Sequence, residues 1–249
     1  MEKILLKTVM LSGICVGVSQ PSYCMVVHEL DDAINEVDIK VGNGSIYVTP
    51  GDHKGQTLEY RFIKGSQADC QISYEISDRK VSLIAESVHK GNQPDLYEIA
   101  VDVHMQDPRA VTLMIANGNA TIEHLQTVAN IDVARGSVEV NAPLQDLSIN
   151  VGSGHIAVTD IAGDMTANLG NGDFFYTSHG LQAPTQKVSV EQGNGQMSLF
   201  FPSDAIISQN IGYSPYSVQY SNPYPNIDGA PYEVYLKLGA EKEINMSIL

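Results

Sequence analysis

Apolar and polar residues alternate between residues 111 and 198, in short segments that return at a fixed interval. In one segment, Leu147 and Val151 share one face of a predicted strand, and polar residues occupy the other face. After a glycine-rich turn the apolar face resumes at Ile156. Copies of this arrangement lie at 37–48, 111–122, 129–140, 147–158, 165–176 and 188–199.

A turn glycine marks the same place in each copy. From Gly118 to Gly172 these glycines recur at one constant interval, and the step from Gly172 to Gly195 is longer. A fixed period of about 20 residues is typical of stacked repeats in which each repeat adds one rung. We therefore predict an all-β fold, a parallel β-solenoid (β-helix) with rungs of about 18 residues, whose equivalent residues stack about 4.8 Å apart. The turn glycines are Gly44, Gly118, Gly136, Gly154, Gly172 and Gly195.

Gly and Asn dominate these turns because both residues accept a positive φ at low cost. Phosphate binding, the other common use of closely spaced glycines, needs a strand followed by a helix. Here a second strand is predicted after each turn, so the turn glycines are interpreted as structural.

The part of the chain after residue 24 is predicted to be a single solenoid domain, 25–249. Residues 52–110 leave the repeat as longer strands with a hairpin turn at Asp78-Arg79. We expect them to form an antiparallel excursion that shields one end of the stack. Regular rungs then occupy 111–202, and a C-terminal cap occupies 203–249.

The N-terminal segment, 1–24, has the composition of a secretory signal peptide. Lys3 and Lys7 flank the start of an apolar run at 8–18, which is too short to span a membrane. Cleavage after Ser19 and cleavage after Cys24 both fit the pattern of small residues. We predict a secreted, periplasmic or cell-surface protein with no integral membrane span in the mature chain.

The cysteines and the net charge limit which disulfides, metal sites and partners can be predicted. Cys70 can pair with Cys24 only if cleavage follows Ser19, so a disulfide between them stays open. No C-x-x-C motif is present, and we predict neither a metal site nor a cofactor. The chain has 14 Lys and Arg residues against 29 Asp and Glu residues, a net charge of −15. This acidity disfavours nucleic acid and anionic membrane surfaces as partners.

Two irregular segments carry candidate contact residues. Residues 177–187 contain a five-residue insertion, and insertions in solenoids often lie on a binding face. Further on, a tyrosine-rich stretch fits either a sugar-stacking surface or a set of large side chains that cover the last rung. Its candidate binding residues are Tyr213, Tyr216, Tyr220 and Tyr224.

Ionisable groups are sparse at the outward positions of the rungs. His155 falls beside Asp173 one rung later, with Glu139 nearby. A polysaccharide lyase or hydrolase needs such groups clustered, whereas a single pair fits a solvated polar column. Calcium of the β-roll type needs carboxylates in successive turns, and only Asp173 supplies one. The other outward columns are mostly neutral and suit ladders of hydrogen bonds. One column consists of Asn130, Ser148, Thr166 and Ser189, and the next column consists of Asp132, Asn150 and Asn168.

The order of these parts resembles the bacterial DUF4097 family of adhesin-like proteins and the related head domains of autotransporter adhesins. The resemblance covers roughly 37–220. It is carried by the piece V-G-N-G-S-I at 41–46, by Pro108-Arg109, and by the G-x-G turns through Gly195. Residues 161–165 also resemble the second turn of that family.

The resemblance also has departures. The other rungs have 125–127 and 143–145 where the family pattern has Gly-Asp, whereas Leu199 to Pro202 resemble the family after its last rung. The resemblance implies a β-solenoid, an extracytoplasmic location and no catalytic residues to transfer.

We therefore predict a non-enzymatic, adhesin-like binding or structural module of the cell surface or envelope. Its partner would be an envelope component, a protein or a glycan. The alternative is a carbohydrate-active enzyme, a polysaccharide lyase or hydrolase that uses an outer sheet face. An enzyme needs a cleft with clustered carboxylates, whereas a binding module needs only a flat face.

Overall fold

All regular secondary structure in the described residues is β-strand, as predicted. The computed structural model describes residues 25–51, 55–66, 68–88, 97–141, 144–180, 185–212, 218–221, 227–239 and 242–248. Its strands are β1 (Met25–Leu30), β2 (Glu36–Pro50), β3 (Gln56–Lys64), β4 (Cys70–Ser77), β5 (Lys80–Ser87), β6 (Glu98–Met105), β7 (Ala110–Glu123), β8 (Val128–Asn141), β9 (Asp146–Thr159), β10 (Asp164–Thr177), β11 (Gln186–Asn194), β12 (Gln196–Phe201), β13 (Ile207–Gly212), β14 (Val218–Ser221), β15 (Tyr232–Leu238) and β16 (Lys242–Ile248).

These strands form one sheet with mostly parallel pairing. The long strands β2, β7, β8, β9 and β10 follow one another in register, so Leu147 of β9 pairs with Ala129 of β8 and with Met165 of β10. The repeat period therefore corresponds to one step from strand to strand. The described residues contain no helix that is long and apolar enough to cross a membrane.

Each long strand turns a corner at a Gly-x-Gly or Ala-x-Gly piece. We call the residues before the corner the first arm and those after it the second arm. Val151 and Ile156 are both buried although they lie five positions apart, an odd offset that would place them on opposite faces of a regular strand. The alternation therefore changes phase at the corner. Both arms thereby direct their apolar faces into one core.

Glycine is required at the corner for two reasons. Gly154 has a φ of +148°, which L side chains rarely adopt. In addition, a Cβ on Gly154 would overlap the carbonyl oxygen of Gly136 in the preceding strand. Conformation and the close approach of stacked strands thus both account for glycine at this corner.

Buried polar contacts connect the two arms inside the core. The Tyr176 hydroxyl, on the second arm of β10, donates a hydrogen bond to Oε1 of Gln186 at 3.0 Å, at the start of β11. Nε2 of Gln186 donates to the Ile161 carbonyl oxygen at 2.5 Å. Burial raises the pKa of Tyr176, so its phenol stays neutral and keeps this donor. The second arm of β10 and the start of β11 therefore face each other across the core.

The excursion predicted at 52–110 is antiparallel only in part. β3 pairs antiparallel with β1 and β6, and β4 pairs antiparallel with β5. However, β5 and β6 pair parallel with the two arms of β2, and so extend the parallel sheet. For β5 this pairing follows from its burial pattern. Val81, Leu83 and Ala85 alternate with outward residues as the buried residues in the first arm of β2 do, so β5 can extend the same apolar face.

Strand order differs from chain order at both ends. β2 lies between the later strands β5 and β6 on one side and β7 on the other. In the region predicted as a cap, β15 and β16 pair parallel with β11 and β12, and β13 and β14 pair parallel with β15 and β16. Both ends of the sheet are thus completed by segments that are distant in the chain.

Candidate ligand-binding face

The second arms of β2 and β7 to β10 present a regular polar surface, which we call the outer face. Its residues point outward because they alternate with buried ones in each arm. The register aligns them in two columns. One column consists of Tyr47, Thr121, Glu139, Ala157 and Phe175, and the other consists of Ser45, Asn119, Ser137, His155 and Asp173.

His155 and Asp173 come together on the outer face as predicted. Nδ1 of His155 lies 3.5 Å from Oδ2 of Asp173. The other carboxylate oxygen, Oδ1, accepts a hydrogen bond at 3.1 Å from the backbone N–H of Gln196 in the next strand. Glu139 is also exposed. It lies in the adjoining column, where it pairs with Ala157. The pair lies on an open surface, where water reaches both groups.

Side chains and backbone are also joined from strand to strand on this face. Oδ1 of Asn119 accepts from the backbone N–H of Ser137 at 3.1 Å, in the same way that Asp173 accepts from Gln196. An Asn or Asp directly after the corner glycine thus satisfies a backbone donor of the following strand. These contacts hold the side chains of Asn119 and Asp173 in place before any ligand binds.

Two aromatic residues stand at the ends of one column, and the sequence analysis did not single them out. Tyr47 is 39% exposed and Phe175 is 37% exposed. Each lies between two buried neighbours in its strand and therefore points outward. The available signal was an aromatic residue at an outward position of the alternation, and its meaning depends on the register between strands.

The first arms carry the ladder that was predicted. Nδ2 of Asn150 donates to Oδ1 of Asp132 at 2.7 Å, and Nδ2 of Asn168 donates to Oδ1 of Asn150 at 2.8 Å. The ion pairs Lys40–Glu86 and Lys237–Glu191, both 2.6 Å long, lie beyond the two ends of the ladder. Beside it runs a shallow groove of about 500 Å³, floored by the small corner residues Gly42, Ala116, Ala134 and Gly152.

The insertion at 177–187 contributes a second His–Asp pair. Oδ1 of Asp160 accepts from the His179 backbone N–H, and Oδ2 lies 2.8 Å from His179 Nδ1. His179 borders a cavity of about 280 Å³ together with Asp204 and Tyr232. Burial raises the pKa of Tyr232, and the carboxylates of Asp160 and Asp204 add to the rise. Sequence reasoning missed this pair because Asp160 follows β9 and His179 follows β10, at an offset that differs from the repeat period.

The predicted tyrosine site is largely outside the described residues. This applies to Tyr213, Tyr216 and Tyr224. Tyr220 lies in β14, where its backbone pairs with Ile244 of β16. A tyrosine contact surface in this stretch therefore stays a prediction.

The remaining candidates concern metal and thiol chemistry. Among the described residues, no group of three or more His, Cys, Asp or Glu side chains is placed to hold a metal ion. Cys70 is buried, and burial raises the pKa of its thiol to about 11, so it is a poor nucleophile. Cys24 lies outside the described residues, and its pairing with Cys70 stays open.

No family model matches this sequence, and no curated protein matches it. Among solved structures, a "putative adhesin" from Bacteroides fragilis has 14% identity and a TM-score of 0.43, and the match covers 92% of this chain and 98% of that one. A "putative cell adhesion protein" from Clostridium sporogenes has 10% identity and a TM-score of 0.35, with 91% and 100% coverage. A "putative lipid binding protein" from Parabacteroides distasonis has 11% identity and a TM-score of 0.36, with 90% and 95% coverage. These likenesses are too distant to assign a function, and membership in DUF4097 stays a prediction.

Proposed function

We propose that the protein is a non-enzymatic, adhesin-like binding module of the cell envelope or surface, built as a β-solenoid of the DUF4097 type. Two features support the solenoid: each long strand bends at a glycine corner, and the two arms enclose one core. The order of sequence motifs between 37 and 220 supports the family. The apolar run near the N-terminus supports export.

The observation that carries the binding role is the order of the outer face. Its side chains lie in straight columns that repeat at every strand, and strand-to-strand hydrogen bonds hold Asn119 and Asp173 in place. A surface whose donors and acceptors are fixed in advance loses little entropy when a ligand binds. Columns of side chains that repeat from strand to strand suit an extended partner.

The binding role can be tested with two matched substitutions on β9. Ala157→Arg places a large side chain on the outer face, and Ser148→Arg places the same side chain on the first-arm face. We expect the mature protein to co-sediment with purified bacterial envelope material. Ala157→Arg should reduce the bound fraction to background, whereas Ser148→Arg should leave it unchanged. Failure to bind any envelope preparation, or equal effects of the two substitutions, would contradict the proposal.

A carbohydrate-active enzyme is the second candidate, and the His155–Asp173 pair with Glu139 nearby is the observation that favours it. Such enzymes group their acid and base residues in a cleft, on either side of the glycosidic bond that is cleaved. Here both members of the pair are open to solvent. We expect no lyase or hydrolase activity in a screen of bacterial, plant and host glycans. Turnover that disappears in Asp173→Asn or His155→Ala would favour the enzyme instead.

A further inference from the structure

The two exposed aromatic residues of the outer face lie on one straight column. Tyr47 pairs with Thr121, Thr121 with Glu139, Glu139 with Ala157, and Ala157 with Phe175. Four strand spacings therefore separate Tyr47 from Phe175, a distance of about 19 Å along the stack. The residues between them are polar or small, so the two rings stand apart as separate contact points.

This arrangement matches the shape and repeat of a linear sugar chain. A pyranose unit in an extended glycan advances by about one strand spacing, so successive sugars can lie over successive strands. An exposed aromatic ring can pack against the apolar C–H face of a sugar. Between the rings, Thr121 and Glu139 provide hydrogen-bonding groups for sugar hydroxyls, and the small Ala157 leaves one side of Phe175 open.

Two other kinds of partner fit the outer face less well. A protein interface has a contiguous apolar centre, whereas polar residues separate Tyr47 from Phe175. An anionic polymer would meet Glu139 and Asp173 on a chain of net charge −15. The chemistry of the surface therefore selects uncharged or amino sugars.

We infer that the outer face binds a linear, uncharged or amino-sugar glycan that runs along the stack from Tyr47 to Phe175. This inference rests on the proposed binding function, and it names the ligand class and the direction in which the ligand lies. It assigns the two aromatic residues as stacking contacts at the ends of the bound segment.

The test is calorimetric titration of the mature protein with linear β-1,4-linked oligosaccharides of glucose and of N-acetylglucosamine, from dimer to hexamer. Affinity should rise with chain length until the oligosaccharide spans both rings, and then level off. Tyr47→Ala and Phe175→Ala should each weaken binding of the hexamer by about tenfold or more. Tyr47→Phe should preserve binding because it keeps the ring.

The matched control is Tyr235→Ala, which removes a tyrosine of similar exposure on the first-arm face. It should not change the affinity. All three alanine variants should melt like the parent protein, because each changes an outward side chain. An affinity that does not depend on length, or one that depends on Tyr235 rather than on Tyr47 and Phe175, would overturn the inference. If the protein binds envelope material but none of these oligosaccharides, the glycan inference fails while the binding function stands.

Discussion

Gly195 faces the carbonyl oxygen of Gly172 so closely that a Cβ on Gly195 would overlap that oxygen. Gly55 has the same φ, +122°, but among the described residues outside its chain neighbours no atom lies within 4 Å of the position of its Cβ. The two glycines therefore share the same conformational demand and differ in the space around them. This difference separates the cost of backbone strain from the cost of a close approach between strands.

We expect Gly195→Ala to destabilise the protein much more than Gly55→Ala. The control carries only the cost of a side chain at positive φ, about 1–2 kcal/mol. Gly195→Ala must also force two strands apart, so its loss should exceed that of the control by about 2 kcal/mol or more. Urea unfolding of both variants measures the difference. Equal losses would show that the corners tolerate a side chain and that backbone conformation alone explains their glycines.

The period itself can be tested by deletion. Removing 147–164 joins Asp146 to Met165, and the pairing of Leu147 with Met165 indicates that every inward residue then stays inward. Removing 147–163 instead shifts the following residues by one, which turns an apolar face to water. Exposure of several large apolar side chains, at about 1.5–3 kcal/mol each, rivals the stability of a whole domain.

Thermal unfolding followed by circular dichroism compares the two deletions. The deletion of 147–164 should leave a folded, cooperative protein that lacks one strand's contacts. The deletion of 147–163 should melt far lower or not fold. Collapse of the 147–164 deletion alone would refute the rung as a structural unit.

Stability should fall in mild acid because of His28. Its ring stacks on Tyr74 at a centroid distance of 3.9 Å, with Tyr60 also nearby. Burial lowers the pKa of His28 from its ordinary value of 6.5, so the unfolded chain takes up a proton more readily than the folded one. The stability contributed by neutral His28 is therefore complete above about pH 6.5 and is lost as the pH falls from there through the lower folded-state pKa.

His28→Phe keeps a flat ring against Tyr74 and removes the titrating group. The variant should lose less stability than the parent between pH 7 and pH 5, while the two should be similar at pH 8. Urea unfolding at these three pH values makes the comparison. A variant with an unchanged pH dependence would place the acid sensitivity elsewhere in the chain.

The protein should be exported and shortened. Lys3 and Lys7 with the apolar run at 8–18 predict a signal peptide, and the mature chain should begin after Ser19 or after Cys24. Mass spectrometry of the protein from its native cells, fractionated by compartment, measures both the N-terminus and the location. An intact Met1 in the cytoplasm would end the prediction.

The regular part of the fold was predictable because one local requirement repeats in it. The alternation from Leu147 to Val151 and the close approach at Gly154 recur at each strand, so the chain itself displays the register. The ends were less predictable because their pairings join distant segments. Val81 of β5 pairs with Val37 of β2 although β3 and β4 intervene in the chain. No local sequence pattern predicts that contact.

The candidate site was predictable to the same extent. The period placed His155 beside Asp173 and predicted the ladder of Asp132 and Asn150. The relation between Tyr47 and Phe175 needs four successive strand pairings, including one that crosses from β2 to β7. The period alone leaves that crossing undefined because residues 51–109 intervene.

The exchanged strand order at the two ends limits how this protein can change length. A copied or lost rung inside 111–199 joins strands that are neighbours both in sequence and in space, so the chain can lengthen or shorten there by tandem duplication. At the C-terminal end, β13 and β14 are synthesised before β15 and β16, yet they lie outside them in the sheet. The outermost strands, β13 and β14, can pair only after β15 and β16 have been synthesised. A chain that is still bound to the ribosome or only partly exported therefore cannot complete this end of the sheet.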